Sequence, residues 1–292
     1  QTTMKIFLDQ DGGVDDFISQ VILCTDPEAE LIGISIIDAD CHVDTAYDVS
    51  CRLLSLLGCD SVPIAKSTLT GVNPFPPEWR RHCESCFDLP VLNIQRVIDA
   101  EESRHHLNIT GQQLLVDAVK SSSEPVTIVV TGPMTNIAWA LDNDPSFCSN
   151  VKQVVVMGGA VDVPGNVFNQ PNHDGSAEWN VYWDAPAFHR ALNSPLRIVL
   201  FPLDATNTVP IARDFVRRFG AQNNFLASQF VGSSYAMCSF DYYAWDALTT
   251  AFAVRPDICK LEEIPITIVL DAPQEGRTRR DAAGGGGGGG RR

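Results

Sequence analysis

The sequence predicts an α/β architecture, a mainly parallel sheet flanked by helices. Three observations predict it. Apolar runs of strand length alternate with stretches of helical periodicity along most of the chain, the pattern of repeated βαβ units. The runs over residues 31–37 and 126–130 are nearly continuous in apolar residues, as strands buried on both faces are, and the run ending at Met157 repeats the pattern. Several runs end on an acid, a hydroxyl or paired glycines, the residue types that line a crevice at the carboxyl ends of such strands.

The chain is organised around its first turn. Ile6-Phe7-Leu8 runs into Asp9-Gln10-Asp11, then Gly12-Gly13, then Asp15-Asp16 at the start of a helical pattern carried by Phe17, Val21 and Ile22. Alternation along a strand puts Asp9 and Asp11 on one side, and the glycines allow a tight turn. Four carboxylates therefore converge where a strand hands over to a helix. A helix N-terminus stabilises a nearby acid by about 0.3–1 kcal/mol, too little to hold four repelling charges. A cation among them is the better reading than protonation.

The remaining elements follow in order. The first helix runs to about Cys24; residues 31–37 form a strand ending on Asp38-Ala39-Asp40; Thr45 to Leu57 is helical; and Pro63-Ile64-Ala65 is a short strand. Residues 68–93 lack periodicity and carry Phe75, Trp79, Phe87 and several prolines, the composition of a lid or of a loop packed on the body. Gly111 to Val119 is helical, Val126 to Val130 a strand ending in Thr131-Gly132-Pro133, and Thr135 to Leu141 opens a helix. Val151 to Met157 is a strand ending in Gly158-Gly159, and a helix spans Ala177 to Asn193. Arg197 to Phe201 is a strand, helices follow from Ala212 and from Trp245, and Ile264 to Leu270 is a late strand. In this Rossmann-like arrangement Asp9, Asp11, Asp40, Thr131 and Gly158 should ring a single crevice at the strand C-terminal ends.

A length of 292 residues, 45% hydrophobic and 20% charged, describes a globular chain with a sizeable core. A formal net charge of -15 argues against a nucleic-acid surface. No stretch approaches the roughly 20 apolar residues of a membrane span, and no signal-peptide pattern opens the chain. The nine cysteines, scattered in apolar runs, read as reduced thiols of a cytoplasmic protein, with organellar import left open. Cys83-Glu-Ser-Cys86 lacks the second pair that a zinc site needs. Residues 1–281 read as one domain, and the glycine-rich 282–292 as a low-complexity tail outside it.

Taken together, the motifs resemble the calcium-dependent nucleoside N-ribohydrolases. The acidic turn Asp9-x-Asp11-Gly-x-x-Asp15-Asp16 carries the likeness, with Asp38-Ala-Asp40, Val130-Thr131-Gly132-Pro133 and Met157-Gly158-Gly159. Gly165-Asn166-Val167-Phe168, Ala177-Glu178-Trp179-Asn180 and Tyr243-Ala244-Trp245-Asp246 extend it to about residue 281. The resemblance implies a Ca²⁺ ion held by Asp11, Asp16, the Thr131 carbonyl and Asp246, all hard oxygen donors. It implies that Asp11 is the general base for the attacking water. It also implies that Asp15, Asn166, Glu178 and Asn180 contact ribose, with Met157 beside the sugar and Trp179 in the substrate site. Inosine–uridine-preferring members typically carry histidine where this chain has Trp245. Trp79, Trp245 and Asp40 together resemble the purine-specific group, in which indoles sandwich the base and an acid lies near N7. The implied protein is a homodimer that hydrolyses the purine ribonucleosides inosine and guanosine, with adenosine a further candidate, and has no nucleic-acid or membrane partner. Two departures stand out. Gly13 replaces an asparagine common in purine-specific members, and Gln10 sits between the acids; the segment from Met237 to Tyr243 is also shorter than the family's second mobile loop.

Blander readings sit beside these. Asp11 and Asp16 could cap a helix, Glu178-Trp179-Asn180 could open one, Trp245 could be core, and Trp139 and Trp183 are read as core. The six histidines lack ligand spacing. A haloacid-dehalogenase-type phosphohydrolase with Asp9 as nucleophile and Mg²⁺ is the leading alternative. A catalytically silent Ca²⁺- or nucleoside-binding protein is another. An EF-hand is disfavoured because Val14 and Gln20 stand where it needs glycine and glutamate.

Overall fold

The computed structural model describes residues 3–238 and 241–281, so the glycine-rich tail lies outside the described residues, as does part of the segment between Met237 and Tyr243. The chain opens with β1 (Met4–Gln10), α1 (Val14–Thr25), β2 (Ala29–Ile36), α2 (Val43–Leu57) and β3 (Ile64–Lys66). A long connection holding α3 (His82–Phe87) and α4 (Gln95–Glu102) leads to α5 (Gly111–Ser121), β4 (Val126–Val130), α6 (Thr135–Asn143) and β5 (Val151–Met157). Next come α7 (Trp179–Trp183), α8 (Ala185–Leu192), β6 (Ile198–Phe201) and α9 (Leu203–Thr206). Last are α10 (Arg213–Gly220), α11 (Leu226–Met237), α12 (Trp245–Val254), β7 (Ile266–Ile268) and β8 (Thr278–Arg280).

Six strands form one sheet in the order β3-β2-β1-β4-β5-β6, every pair parallel. The order reverses at β1, which opens a crevice beyond the carboxyl ends of β1 and β4. The alternation of β1 explains its central place. Ile6 and Leu8 enter the core with Phe17, Leu53 and Phe230 on one face. Phe7 enters the other with Leu115, Ile128 and Ile137. Each such side chain contributes about 1.5–3 kcal/mol on burial, so both faces hold the strand in register.

Three local readings change. The helix expected over residues 177–193 breaks at Asp184, whose carboxylate accepts from the Ala187 N–H at 3.1 Å and so caps α8 ahead of Pro186. The late strand does not join the main sheet. Its three residues pair antiparallel with β8, whose Arg279 and Arg280 are exposed, as suits a surface ribbon rather than a core strand. Helix α4 was not foreseen, because Val97 is its one buried side chain and leaves little apolar periodicity to read.

The expectation of nine reduced thiols fails at Cys41 and Cys83. They form a disulfide with Cα atoms 6.0 Å apart, a separation that suits such a bond. Their 42-residue separation leaves no sequence signal; packing of the 68–93 segment onto the end of β2 brings them together. The other seven cysteines are free. No helix among the described residues is long and apolar enough to cross a membrane.

Candidate active site

The acidic turn needs its first glycine for two reasons. Gly12 has φ +84, and a Cβ there would meet the Ala46 Cβ at 2.4 Å. This turn delivers Asp11 just beyond β1 and places Asp15 and Asp16 in the first turn of α1. Asp16 accepts from the Asp11 N–H at 3.2 Å and from the Thr131 hydroxyl at 2.5 Å, tying the ends of β1 and β4 together. Asp15 accepts from the Tyr242 hydroxyl at 2.6 Å and from the Asp246 N–H at 3.0 Å, which docks the start of α12 on α1. Carboxylate oxygens of Asp15, Asp16 and Asp246 consequently lie within 4.8 Å of one another.

These groups form the floor of a cavity of about 290 Å³. Every residue singled out from the sequence for catalysis, substrate or metal lines it: Asp11, Asp15, Asp16, Thr131 and Asp246 on the floor, with Asp40 at the edge. Met157, Asn166, Glu178 and Asn180 form one wall, and Trp79, Trp179 and Trp245 an aromatic one. Asp9 and Gly158, expected at the crevice, are not among its lining. Strand β1 ends at Gln10, so alternation does not carry through to Asp11. Asp9 instead points into the protein, accepting from Ser35 Oγ at 2.5 Å and Asn136 Nδ2 at 2.7 Å.

Hydrogen bonds set the wall. Glu178 accepts the N–H groups of Asn180 and Gly159, each at 2.9 Å, and Asn180 donates from Nδ2 to the Thr131 carbonyl at 3.0 Å. Asn166 accepts at Oδ1 from the Trp179 N–H at 3.0 Å and at its carbonyl from Trp179 Nε1 at 3.0 Å. Trp79 meets Trp179 edge-on at 5.1 Å, and Trp245 donates to Asn207 Oδ1 at 2.9 Å. Two lining aromatics were missed as site candidates. Phe75 stacks on Trp179 at 5.2 Å and was visible only as one aromatic of the irregular segment. Tyr242 adjoins the motif that begins at Tyr243, and its tie to Asp15 spans 227 residues, which no local pattern reveals.

Among the described residues, seven acids line the cavity and no lysine, arginine or histidine does. Burial first, then repulsion from Asp15, pushes Asp16 up to about 7. Burial, Asp16 and Asp15 push Asp40 up to about 8 against the pull of Arg80. Burial raises Glu178 to about 7 although backbone N–H groups oppose it. Asp11 and Asp246 stand well above the usual carboxylate range, through burial and then through neighbouring acids. So crowded a set of hard oxygen donors, with no cationic side chain among the described residues lining the cavity, is what a divalent metal relieves.

Comparison with known proteins decides the family. The profile described as inosine-uridine preferring nucleoside hydrolase matches residues 6–289. The chain belongs to the nucleoside hydrolase family. A similar solved structure is the inosine-uridine preferring nucleoside hydrolase of Bacillus anthracis, with 33% identity and a TM-score of 0.89 over 97% of this chain and 92% of that one. The purine-preferring ribonucleoside hydrolase of Gardnerella vaginalis matches with 25% identity and a TM-score of 0.75 over 95% and 88%. The pyrimidine-specific ribonucleoside hydrolase RihA of Escherichia coli is 31% identical over 225 residues, 76% of this chain and 67% of its own.

As a nucleoside hydrolase the protein is an N-ribohydrolase, of a metal-dependent family, and its Asp15, Asp16 and Asp246 could hold the metal. The phosphohydrolase alternative falls. Its would-be nucleophile Asp9 is 1% exposed and engaged with Ser35 and Asn136, outside the cavity. Trp183 is core as expected, packed with Trp179 and Phe75.

Proposed function

We propose that this nucleoside hydrolase cleaves purine ribonucleosides, inosine and guanosine foremost, to free base and ribose, with Ca²⁺ as its ion. The observation that carries the purine reading is the aromatic wall. Trp245 stands directly before Asp246, and it lines the same cavity as Trp79 and Trp179. A bicyclic base offers two rings to such a wall. Asp11, Asp16, the Thr131 carbonyl and Asp246 are the residues proposed to hold the ion, and all present oxygen, the donor calcium takes. Asp15, the third acid of the close trio with Asp16 and Asp246, is left out because its two oxygens accept from the Tyr242 hydroxyl and the Asp246 N–H.

Bound there, the ion supplies positive charge that orients the sugar hydroxyls and acidifies a neighbouring water. Asp11 takes that water's proton on a carboxylate oxygen, acting as general base. Glu178, Asn180, Asn166 and Asp15 position ribose through its hydroxyls, with Met157 beneath the ring. As the glycosidic bond lengthens, the sugar gains oxocarbenium character, which the surrounding carboxylates stabilise. Stacking on indoles is ordinarily worth ~0.5–1.5 kcal/mol, too little to carry departure of the base alone. Asp40, which lines the same cavity, is proposed to supply the remainder by giving a proton to the leaving purine.

A reducing-sugar assay over inosine, guanosine, adenosine and uridine, with and without chelator, tests the reading. Ribose release from inosine and guanosine that disappears on chelation and returns with Ca²⁺ is expected. Faster release from uridine, the class of activity in RihA's name, overturns the purine assignment; full activity after chelation overturns the metal. Light scattering at twice 31.9 kDa is the expected mark of a homodimer.

A further inference from the structure

We propose that the Cys41–Cys83 disulfide is a redox-controlled clamp on the aromatic wall, with the two cysteines acting as positioning residues for Trp79. The proposal rests on the purine reading of that wall. Cys41 directly follows Asp40, and its N–H donates to the Asp11 carbonyl at 3.0 Å. It is pressed on the acidic turn so closely that a Cβ on Gly12 would lie 3.0 Å from its own Cβ. Cys83 stands four residues after Trp79, at the start of α3. The bond therefore joins the metal-side turn to the segment that presents the indole.

An ionic contact runs beside it. Arg80 donates from Nη2 to Asp38 Oδ1 at 2.5 Å and to the Cys41 carbonyl at 3.4 Å. Trp79 also meets Trp179 edge-on and packs on the cluster of Phe75, Trp179 and Trp183, while α3 behind it packs on α2; the two ties fix where on that surface the indole sits. Cys41 and Cys83 are each 1% exposed, so a reagent reaches the sulfurs when the segment lifts. Opening then takes two exchanges. A thiolate of a dithiol reductant attacks one sulfur, forms a mixed disulfide and expels the other cysteine as thiolate, which takes up a proton. The reductant's second thiol displaces the remaining cysteine and closes its own ring. Two electrons pass to the protein, and the dithiol leaves as a cyclic disulfide.

The test compares protein equilibrated with oxidised and with reduced dithiothreitol, alongside Cys83→Ser. Peptide mapping after alkylation should show the 41–83 link in the first sample and not in the others. On loss of the link, hydrogen exchange over residues 74–89 should rise. The kcat/KM for inosine should fall about two- to tenfold, the factor for one side chain that must be ordered on binding. That for p-nitrophenyl ribofuranoside, whose leaving group has one ring, should change less, and calcium affinity should stay the same. Absence of the link after oxidation overturns the proposal, as does unchanged exchange and selectivity after reduction. Should Cys83→Ser fold poorly, the reduced native protein still tests the clamp on its own. If no sample releases ribose from inosine, the purine reading fails, while exchange over 74–89 still shows whether the clamp operates.

Discussion

Chelation should leave a folded protein that loses stability as pH rises from 6 to 8. Asp16 and Glu178 are pushed up to about 7 and Asp40 to about 8, from ordinary values of 3.8 for aspartate and 4.5 for glutamate. Across that window the folded chain keeps protons the unfolded chain has already released. Folded minus unfolded proton binding is then positive, so the free energy of unfolding falls with rising pH. Each proton is worth about 1.4 kcal/mol per pH unit. Mutual repulsion spreads the release over the window, so one net proton serves as the floor. That floor is about 3 kcal/mol over two pH units, or a Tm drop of about 6 °C for a chain of this size. Thermal melts by circular dichroism in chelator and in excess Ca²⁺, at half-unit steps, measure it. Carboxylates must ionise to hold the metal, so the rise in Tm on adding calcium should widen towards pH 8. A Tm in chelator that stays level or climbs from pH 6 to 8 would refute the reasoning, because the acids would then be ionised without a partner.

Four further outcomes follow from the site. Asp11→Ala should lower kcat on inosine by about 10²–10⁴-fold, the range for a general base, and near-normal turnover would remove Asp11 from that role. Trp79→Ala and Trp245→Ala should each reduce kcat as well as binding; a change confined to KM in steady-state assays would end the leaving-group role of the indoles. Asp9→Ala leaves Ser35 and Asn136 without their acceptor, so a loss of about 1–3 kcal/mol in urea unfolding is expected, with ribose release nearly intact. In Gly13→Ala the new Cβ would stand 2.6 Å from an Asp40 oxygen and 2.9 Å from one of Asp16. The backbone there (φ -63) accepts any residue, so the Asp40 and Asp16 carboxylates must shift to make room, and calcium affinity measured by titration calorimetry should fall modestly while the protein stays folded.

How much was legible depended on how far apart the partners lie. The strand runs declared themselves because parallel strands are apolar on both faces, and their ends placed Asp11, Asp40 and Thr131 at one crevice before any coordinate. The side of Asp9 was misjudged because alternation holds only inside a strand, and β1 stops one residue before Asp11. The Asp184 cap hid inside an apolar helical pattern that looked continuous. Tyr242 and the Cys41–Cys83 bond left no local trace, since both contacts are made by segments the fold brings together over long separations. Residue types could suggest that acids from the two ends of the chain meet, but only packing could say through which hydrogen bonds.

The bond from the Asp246 amide to Asp15 spans 231 residues, and it has a consequence for synthesis. A nascent chain that has completed every strand of the main sheet still lacks the helix that closes the acidic nest. On the proposed reading the site is complete only after that late helix leaves the ribosome and docks, so newly made protein should stay silent until then. Calcium arriving at that moment would act as a closing rivet, drawing the first helix and the late one together.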